Sequence, residues 1–435
     1  MNMKKIMGLV VICVMAVLAI TTIGRTNYKS YYSGDAVSYN NDLIIASTNS
    51  GSLEVFKLNG SSLFRVLKFK APNSPLDHTE DFSAVKLNVE GNRLFAYATS
   101  GYTLYKYDLS NLSHPVLFAK QKNTYYEWYN RVDKFGPYMA TVSDKSVKLW
   151  KVDTNTLDVV DSFNISSDIS TAVRFDASGR YIISVNQDNQ VRIFDTRTRS
   201  ILSSFPVNYR DSKSLRKTYF DPITKELYVF DDYYLKNFDL NGDLLISYPN
   251  SSTNGYAVEP TGDNNYIYAV NGDSVMKLAK DNLRSGLKIS ASSLTKNGYA
   301  LDIKYVNTDN GERLVVWNGG GVAVLNSSLK KIASIQASEI PDQPEVKESL
   351  ALAFDHYLAT PGASVILSGA GYLPGEPLKI NFGGSITNIV ADANGRFKQT
   401  LFVPSIPDTK TKAVDARVDG LNSGLTYSIS FSIVK

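Results

Sequence analysis

The sequence predicts an all-β protein with one large repeated domain and one smaller domain, preceded by an apolar N-terminal segment. Three observations carry this prediction. A strand–turn–strand pattern recurs along the chain, a proline-rich break follows it, and only one apolar run is long enough to span a bilayer. Of the 435 residues, 43% are hydrophobic and 20% charged, which excludes a largely disordered chain.

Residues 1–25 are predicted to be a signal peptide or a signal anchor. Lys4 and Lys5 precede an uncharged, mostly apolar stretch from Ile6 to Gly24, which would be about 28 Å long as a helix. Positive charge before such a stretch predicts that the bulk of the chain lies outside the cell. Both cleavage and retention as an anchor stay open. The residues expected in the membrane include Ile6, Val11, Leu18 and Ile23.

Charge and cysteine content exclude several function classes. The net charge is +4, and three of the cations (Lys4, Lys5 and Arg25) lie in the N-terminal segment, so the rest of the chain is nearly neutral and no nucleic-acid partner is expected. Cys13 is the only cysteine, which excludes disulfides and cysteine-ligated metal sites in the body of the chain. A body without cysteine suits an oxidising compartment.

The repeated domain is predicted from seven strand–turn–strand segments. Their first residues are 39 to 51 positions apart, the period of a four-stranded propeller blade: Leu43, Leu94, Tyr138, Tyr181, Leu227, Tyr266 and Leu314. Alternating segments before and after each pair, such as Ser170–Gly179 and Ser62–Lys70, supply the other two strands. A seven-bladed β-propeller is therefore predicted over residues 34–338, with Asp35–Asn40 innermost and Lys331–Ala337 outermost. Whether Tyr28–Tyr32 adds a clasping strand stays open.

The fourth repeated unit, STAVRFDASGRYIISVNQDNQVRIFDTRT, resembles a WD-repeat blade over its whole length. Phe194 takes the place of the usual tryptophan, and Trp150 fills that place in the third unit. The resemblance implies a propeller and no particular chemistry. The other residues that match the repeat pattern are Phe175, Asp176, Gly179, Ser184, Asp188, Val191, Ile193 and Asp195.

A smaller β domain is predicted over residues 349–435, after a linker at residues 339–348 in which Ile340–Pro344 breaks the repeat. Alternating strands with turns every 8–12 residues are typical of an antiparallel sandwich. The segment resembles immunoglobulin-like modules of bacterial and archaeal surface proteins, which act as spacers, stalks or adhesion units. The matching residues are Gly369, Gly371, Pro374, Gly375, Glu376, Asp392, Gly395, Phe397, Pro404, Ser423 and Gly424.

The sequence predicts no catalytic residue, metal site or cofactor. The candidate binding loops join outer to inner strands: Pro72–Asp81, Asn208–Arg216 and the aromatic run that begins at Tyr125. Aromatic rings stack on sugars and anchor protein interfaces, although packing between blades is an ordinary use for the same rings. The candidate binding residues are Asp77, His78, Tyr125, Tyr126, Trp128 and Arg210.

One acidic turn has the spacing of a calcium loop but predicts a hairpin instead. Asp239, Asn241 and Asp243 alternate as calcium ligands do, yet the twelve-residue frame is absent. Asn241-Gly242 is a strong hairpin signal, so a turn is predicted.

Together these features predict an exported, membrane-anchored cell-surface protein that binds or scaffolds another envelope protein or a surface glycan through one propeller face. Two alternatives remain. One is a lyase or hydrolase that acts on envelope polymers in the central channel. The other is a subunit of an envelope assembly machine.

Overall fold

The chain is all-β apart from one short 3-10 helix, Ala291–Ser293, in the residues that the structure describes. The structure is a computed structural model. It describes residues 31, 33–49, 52–70, 82–101, 103–112, 115–122, 129–143, 146–152, 157–164, 170–186, 189–207, 217–230, 234–249, 255–296, 298–336, 349–350, 352–372, 375–393, 395–405, 412–422 and 426–434. The all-β prediction is confirmed.

The described strands between residues 33 and 336 form seven sheets, each with four strands that are consecutive in the chain and neighbours in the sheet, and the second sheet gains a fifth strand from residues 349–350. The first three sheets contain β1 (Ser33–Tyr39), β2 (Asp42–Asn49), β3 (Ser52–Asn59) and β4 (Ser62–Lys70); β5 (Phe82–Glu90), β6 (Arg93–Ser100), β7 (Thr103–Asp108) and β8 (Val116–Lys122); and β9 (Tyr129–Phe135), β10 (Tyr138–Ser143), β11 (Ser146–Val152) and β12 (Leu157–Asn164).

The remaining four of these sheets repeat the same order. They contain β13 (Ser170–Phe175), β14 (Tyr181–Asn186), β15 (Gln190–Asp195) and β16 (Ser200–Pro206); β17 (Tyr219–Asp221), β18 (Glu226–Phe230), β19 (Tyr234–Phe238) and β20 (Leu244–Pro249); β21 (Gly255–Pro260), β22 (Tyr266–Asn271), β23 (Ser274–Ala279) and β24 (Ser285–Ser290); and β25 (Ala300–Thr308), β26 (Gly311–Asn318), β27 (Gly321–Leu325) and β28 (Lys331–Gln336).

Each strand pair expected from the repeat forms the second and third strands of one sheet. In the fourth sheet, for example, Tyr181 pairs with Asp195 and Ile183 pairs with Ile193 in an antiparallel register. These middle strands are nearly continuous runs of buried residues, as in β7 and β15, because neighbouring sheets cover both of their faces. The outermost strands β16 and β20 are mostly exposed.

The chain continues into a C-terminal sheet pair, residues 352–433. Its three-stranded sheet has the order β30-β32-β35, and its five-stranded sheet has the order β31-β37-β36-β33-β34. Leu367, Ile380 and Phe431 belong to the shared core between the two sheets. The strands are β29 (Ser349–Leu350), β30 (Leu352–Phe354), β31 (Leu358–Ala359), β32 (Ser364–Gly369), β33 (Pro377–Phe382), β34 (Ser385–Val390), β35 (Phe397–Phe402), β36 (Lys412–Gly420) and β37 (Thr426–Ile433).

The C-terminal sheet pair is joined to the second sheet. Ser349 and Leu350, which the sequence places at the start of the smaller domain, instead form β29 and pair in parallel with Val116 and Leu117 of β8. The ring of Phe118, also in β8, meets that of Tyr427 edge to face at 4.9 Å. A two-residue strand has no sequence signal of its own, which explains why this attachment is not predicted.

No helix in the described part of the chain is both long enough and apolar enough to cross a membrane. The predicted signal or anchor, with Ile6, Val11, Leu18 and Ile23, lies outside the described residues, and so does the predicted linker over residues 339–348.

The first and last of the seven sheets meet at Gly34. A Cβ atom at this position would overlap the buried indole of Trp317 in β26 and the carbonyl oxygen of Ala46 in β2. We predict that Gly34→Ala lowers the free energy of unfolding by about 1–3 kcal/mol, because an extra methyl in a filled site forces its neighbours apart. Chemical denaturation monitored by tryptophan fluorescence would measure this change.

The matched control is Gly286→Ala in β24, where an added Cβ would lie 3.8 Å from its nearest neighbour, the carbonyl oxygen of Lys277. This variant should be close to wild type. If the two variants were equally stable, the first and last sheets would not be tightly packed against each other at Gly34.

Candidate functional site

Six of the seven innermost strands come together around a small cavity of about 40 Å³. Its walls are formed by residues of β1, β5, β9, β13, β21 and β25, together with Lys217, which precedes β17. The lining includes four carboxylates and four cations: Asp35, Lys86, Arg131, Asp133, Arg174, Lys217, Glu259 and Asp302. We call this set the inner-strand charges.

On one side of the cavity, the ammonium of Lys86 joins the first and third sheets. Lys86 Nζ lies 2.8 Å from Asp133 Oδ1 and 3.5 Å from Asp35 Oδ2. Both carboxylates are almost fully buried. Because removing a charge from water is costly, close opposite charges are what make this burial tolerable.

On the other side, Arg174 and Lys217 hold the fourth to seventh sheets. Arg174 Nη2 lies 2.6 Å from Glu259 Oε2, and Arg174 Nη1 donates to the carbonyl oxygens of Thr218 and Val258, each at 3.0 Å. Lys217 Nζ lies 3.0 Å from Asp302 Oδ1 and 4.0 Å from Glu259 Oε1. Each cation therefore contacts groups from other sheets.

Three of the carboxylates also accept backbone hydrogen bonds from the neighbouring sheet. Asp35 Oδ2 accepts from Leu87 N at 2.9 Å, and Asp133 Oδ2 accepts from Phe175 N at 2.7 Å. Asp302 Oδ2 accepts from Gly34 N at 3.3 Å, which links the last sheet to the first. These carboxylates satisfy backbone groups at the inner edges of the sheets, which would otherwise be buried without partners.

The pKa values follow from this arrangement. Burial opposes ionisation of Asp133 and Glu259, but nearby cations outweigh it, so the pKa of each carboxyl lies below its ordinary value. For Asp133 the cations are Lys86 and Arg174. Burial also opposes the charge of Lys86, yet Asp133 and Asp35 raise the pKa of its ammonium.

Lys304 is a partly compensated cation next to this set. It lies two residues beyond Asp302 on β25, and its Nζ is 3.9 Å from Glu259 Oε1, beyond hydrogen-bond distance. Burial lowers the pKa of its ammonium, and Glu259 only partly offsets that effect. The chemistry of the arrangement as a whole is that of a buried ionic network.

The predicted binding residues Asp77, His78, Tyr125, Tyr126, Trp128 and Arg210 all lie outside the described residues. The strands that flank them are described. Residues 71–81 connect β4 to β5, residues 123–128 connect β8 to β9, and residues 207–218, which include 208–216, connect β16 to β17. Four antiparallel strands return the chain to the side from which it entered a sheet, so these strand ends lie on one face.

The Asp239 turn is a hairpin connection in the structure, as expected. Asp239 Oδ1 accepts from the backbone N–H groups of Asn241 and Asp243, both at 2.8 Å. The carboxylate is thus used to close its own turn. No cluster of histidine, cysteine, aspartate and glutamate suited to a metal ion occurs among the described residues.

Sequence reasoning missed the inner-strand charges. The segments that contain Arg174 and Asp302 were recognised as first strands, but a charged residue in an alternating strand ordinarily faces water. The signal that could have found them is positional. Asp35, Lys86, Asp133 and Arg174 all fall within the first strand of their units, which a propeller buries at its axis.

Comparison with known proteins agrees with this architecture. Residues 160–195 match the family described as "WD domain, G-beta repeat", and this range reaches from the outermost strand of the third sheet to β15 of the fourth. No curated protein matches the chain.

Solved structures similar to this chain are numerous, 1413 chains in all, so the fold alone does not select a function. One is a chain of the "Crystal Structure of Mitotic Checkpoint Complex", with a TM-score of 0.52 and 13% identity, covering 66% of this chain and 84% of that chain. At that identity the likeness concerns the fold. The repeat match and the four-stranded antiparallel sheets support a WD-repeat β-propeller.

We predict that Asp133→Asn lowers the free energy of unfolding by about 3–5 kcal/mol, because it removes one partner from a buried ionic network. The partly exposed pair of Lys57 and Asp42, at 2.6 Å, provides the matched control. Asp42→Asn should cost less than about 1 kcal/mol. Urea denaturation of both variants at pH 7 would measure the difference, and equal losses would contradict a structural role for the cavity charges.

The comparison of wild type with Asp133→Asn also predicts a pH dependence. Because the pKa of Asp133 is lowered in the folded state, its ionised form stabilises the fold above about pH 4, the ordinary range for an aspartate. That contribution is lost as the pH falls through the lowered folded-state pKa. The stability gap between wild type and Asp133→Asn should therefore be widest near neutral pH and should shrink in acid.

Proposed function

We propose that this chain is an exported, membrane-anchored cell-surface scaffold whose seven-bladed propeller binds another envelope protein or a surface glycan through one face. In this proposal the C-terminal sheet pair is an immunoglobulin-like module that projects from the second blade. The apolar segment at residues 1–25 directs export and, if retained, anchors the chain.

The charges and the small volume of the inner cavity support a binding function rather than catalysis inside it. Six of its charged side chains pair across the cavity: Lys86 with Asp133, Arg174 with Glu259, and Lys217 with Asp302. Asp133 also accepts a hydrogen bond from the backbone of the next sheet. A volume of about 40 Å³ holds about three water molecules, whereas a sugar ring or a peptide unit needs far more room. A lyase or hydrolase acting on a polymer inside this cavity is therefore the weaker proposal.

A binding face is favoured by the strand ends that flank residues 71–81, 123–128 and 208–216. These connections are longer than the two-residue turn at residues 309–310, between β25 and β26, which lies on the opposite side of its sheet. Long loops on a rigid frame commonly carry recognition. In our proposal His78, Arg210 and the aromatic residues from Tyr125 to Trp128 contact the partner.

The proposal is tested by placing a photo-reactive residue at position 78 or 210 in cells and identifying the linked molecules by mass spectrometry. The matched control carries the same residue at Asp309, on the opposite side. We expect one envelope protein to be linked from positions 78 and 210 and at least about tenfold less from position 309, as a localised interface requires.

A membrane-impermeant biotin reagent on intact cells tests the location in the same experiment and should label the chain. If no protein is linked, binding of purified full-length chain to surface glycans, and its loss in Tyr126→Ala and Trp128→Ala, would identify a glycan instead. Cytoplasmic partners only, or equal linkage from all three positions, would overturn the proposal.

A further inference from the structure

One strand of the C-terminal sheet pair has an edge that pairs with no other strand in the part of the chain that the structure describes. β34 ends the five-stranded sheet, contains no charged residue, and pairs with β33 without a bulge. Ile386 and Val390 in this strand are 57% and 64% exposed. Edge strands are ordinarily protected by lysine, proline or a bulge, because their free backbone groups and apolar side chains invite another strand.

Within the described residues, β35 provides a second unpaired edge next to the first, and Lys398 is its one charged residue. β35 follows β34 in the chain and is an edge strand of the three-stranded sheet. The turn between the two strands therefore crosses from one sheet to the other on the side where both sheets end. The two edges border a groove of about 530 Å³, and Ile389, Phe397 and Gln399 are among its lining residues. Phe402, at the end of β35, is 71% exposed.

The groove exists because the five-stranded sheet is wider than the three-stranded sheet that packs on it. The side chains of Leu378 and Ile380 in β33 are fully buried in the core, whereas Ile389, opposite Leu378 on β34, is only partly buried. A fourth strand beside β35 would lie over the inner face of β34. An added strand of five or six residues is about 17–20 Å long, which matches the length of β35.

We propose that this groove binds an extended acidic segment of a partner protein as an added β-strand along the free edge of β35. Alternate apolar side chains of the segment would point toward Ile389 and Phe397. Backbone hydrogen bonds to β35 would supply affinity, and the side-chain contacts would supply selectivity.

The charges at one end of the groove specify the acidic character. Arg396 and Lys398 are exposed, line the groove, and form no ion pair within the described residues. The exposed Asp392 also lines the groove, and its Oδ1 accepts from Arg396 N at 2.9 Å, so the charged lining residues Asp392, Arg396 and Lys398 carry a net charge of +1. A second copy of this chain fits less well, because neither β34 nor β35 carries a carboxylate to place beside these cations.

This site is on the C-terminal sheet pair and does not depend on the proposed propeller face. The test uses the full-length chain and a fluorescein-labelled heptapeptide with valine at alternate positions, threonine between them and two aspartates at one end. We expect saturable binding by fluorescence anisotropy, about tenfold weaker for the same peptide with two lysines. Hydrogen exchange should show that the acidic peptide protects amides of β34 and β35.

The charge-reversal variant Arg396→Glu/Lys398→Glu should fold normally and prefer the lysine peptide. The matched control, Arg197→Glu/Lys330→Glu, changes the same charge at exposed propeller positions and should retain the wild-type preference. Equal binding of both peptides to wild type, or no protection of β34 and β35, would overturn the proposal. Self-association abolished by the groove variant would also overturn it, in favour of a second copy as the occupant.

Discussion

The architecture depends on carboxylates that lie on the innermost strands and reach across to the next sheet. Asp35, Asp133 and Asp302 each accept a backbone N–H from a neighbouring sheet, and all three also contact a cation. Charge-assisted hydrogen bonds of this kind are stronger than neutral ones. Together with the apolar cores that neighbouring sheets share, they fix the position of one sheet relative to the next.

This arrangement determines what the inner cavity is able to do. Buried charges tolerate the loss of water only when they are paired, and here the pairs extend from Asp35 through Lys86 to Asp133, with a second set around Glu259. These contacts favour a structural role for the cavity charges. In our proposals, recognition falls to the outer surfaces: the loops on one face of the propeller and the groove of the C-terminal sheet pair.

Much of the fold follows from sequence pattern, because middle strands such as β7 and β15 are buried on both faces and leave a strong apolar signal at a regular spacing. The charged inner strands carried a misleading signal, since Arg174 and Asp302 sit in alternating segments that resemble half-exposed strands. The attachment of β29 to β8 and the groove beside β34 depend on contacts between distant parts of the chain, which no local pattern encodes. The predicted binding residues from Asp77 to Arg210 remain predictions.

The most direct test of the central claim is native-state hydrogen exchange of the backbone amides of Gly34, Leu87 and Phe175. If the inner-strand carboxylates hold neighbouring sheets together, these amides should exchange only through global unfolding, as slowly as the amides at the centres of β7 and β15. Fast exchange at these three positions, with protection retained in β7 and β15, would contradict the account. It would show that the sheets are stable units whose inner edges are loosely joined.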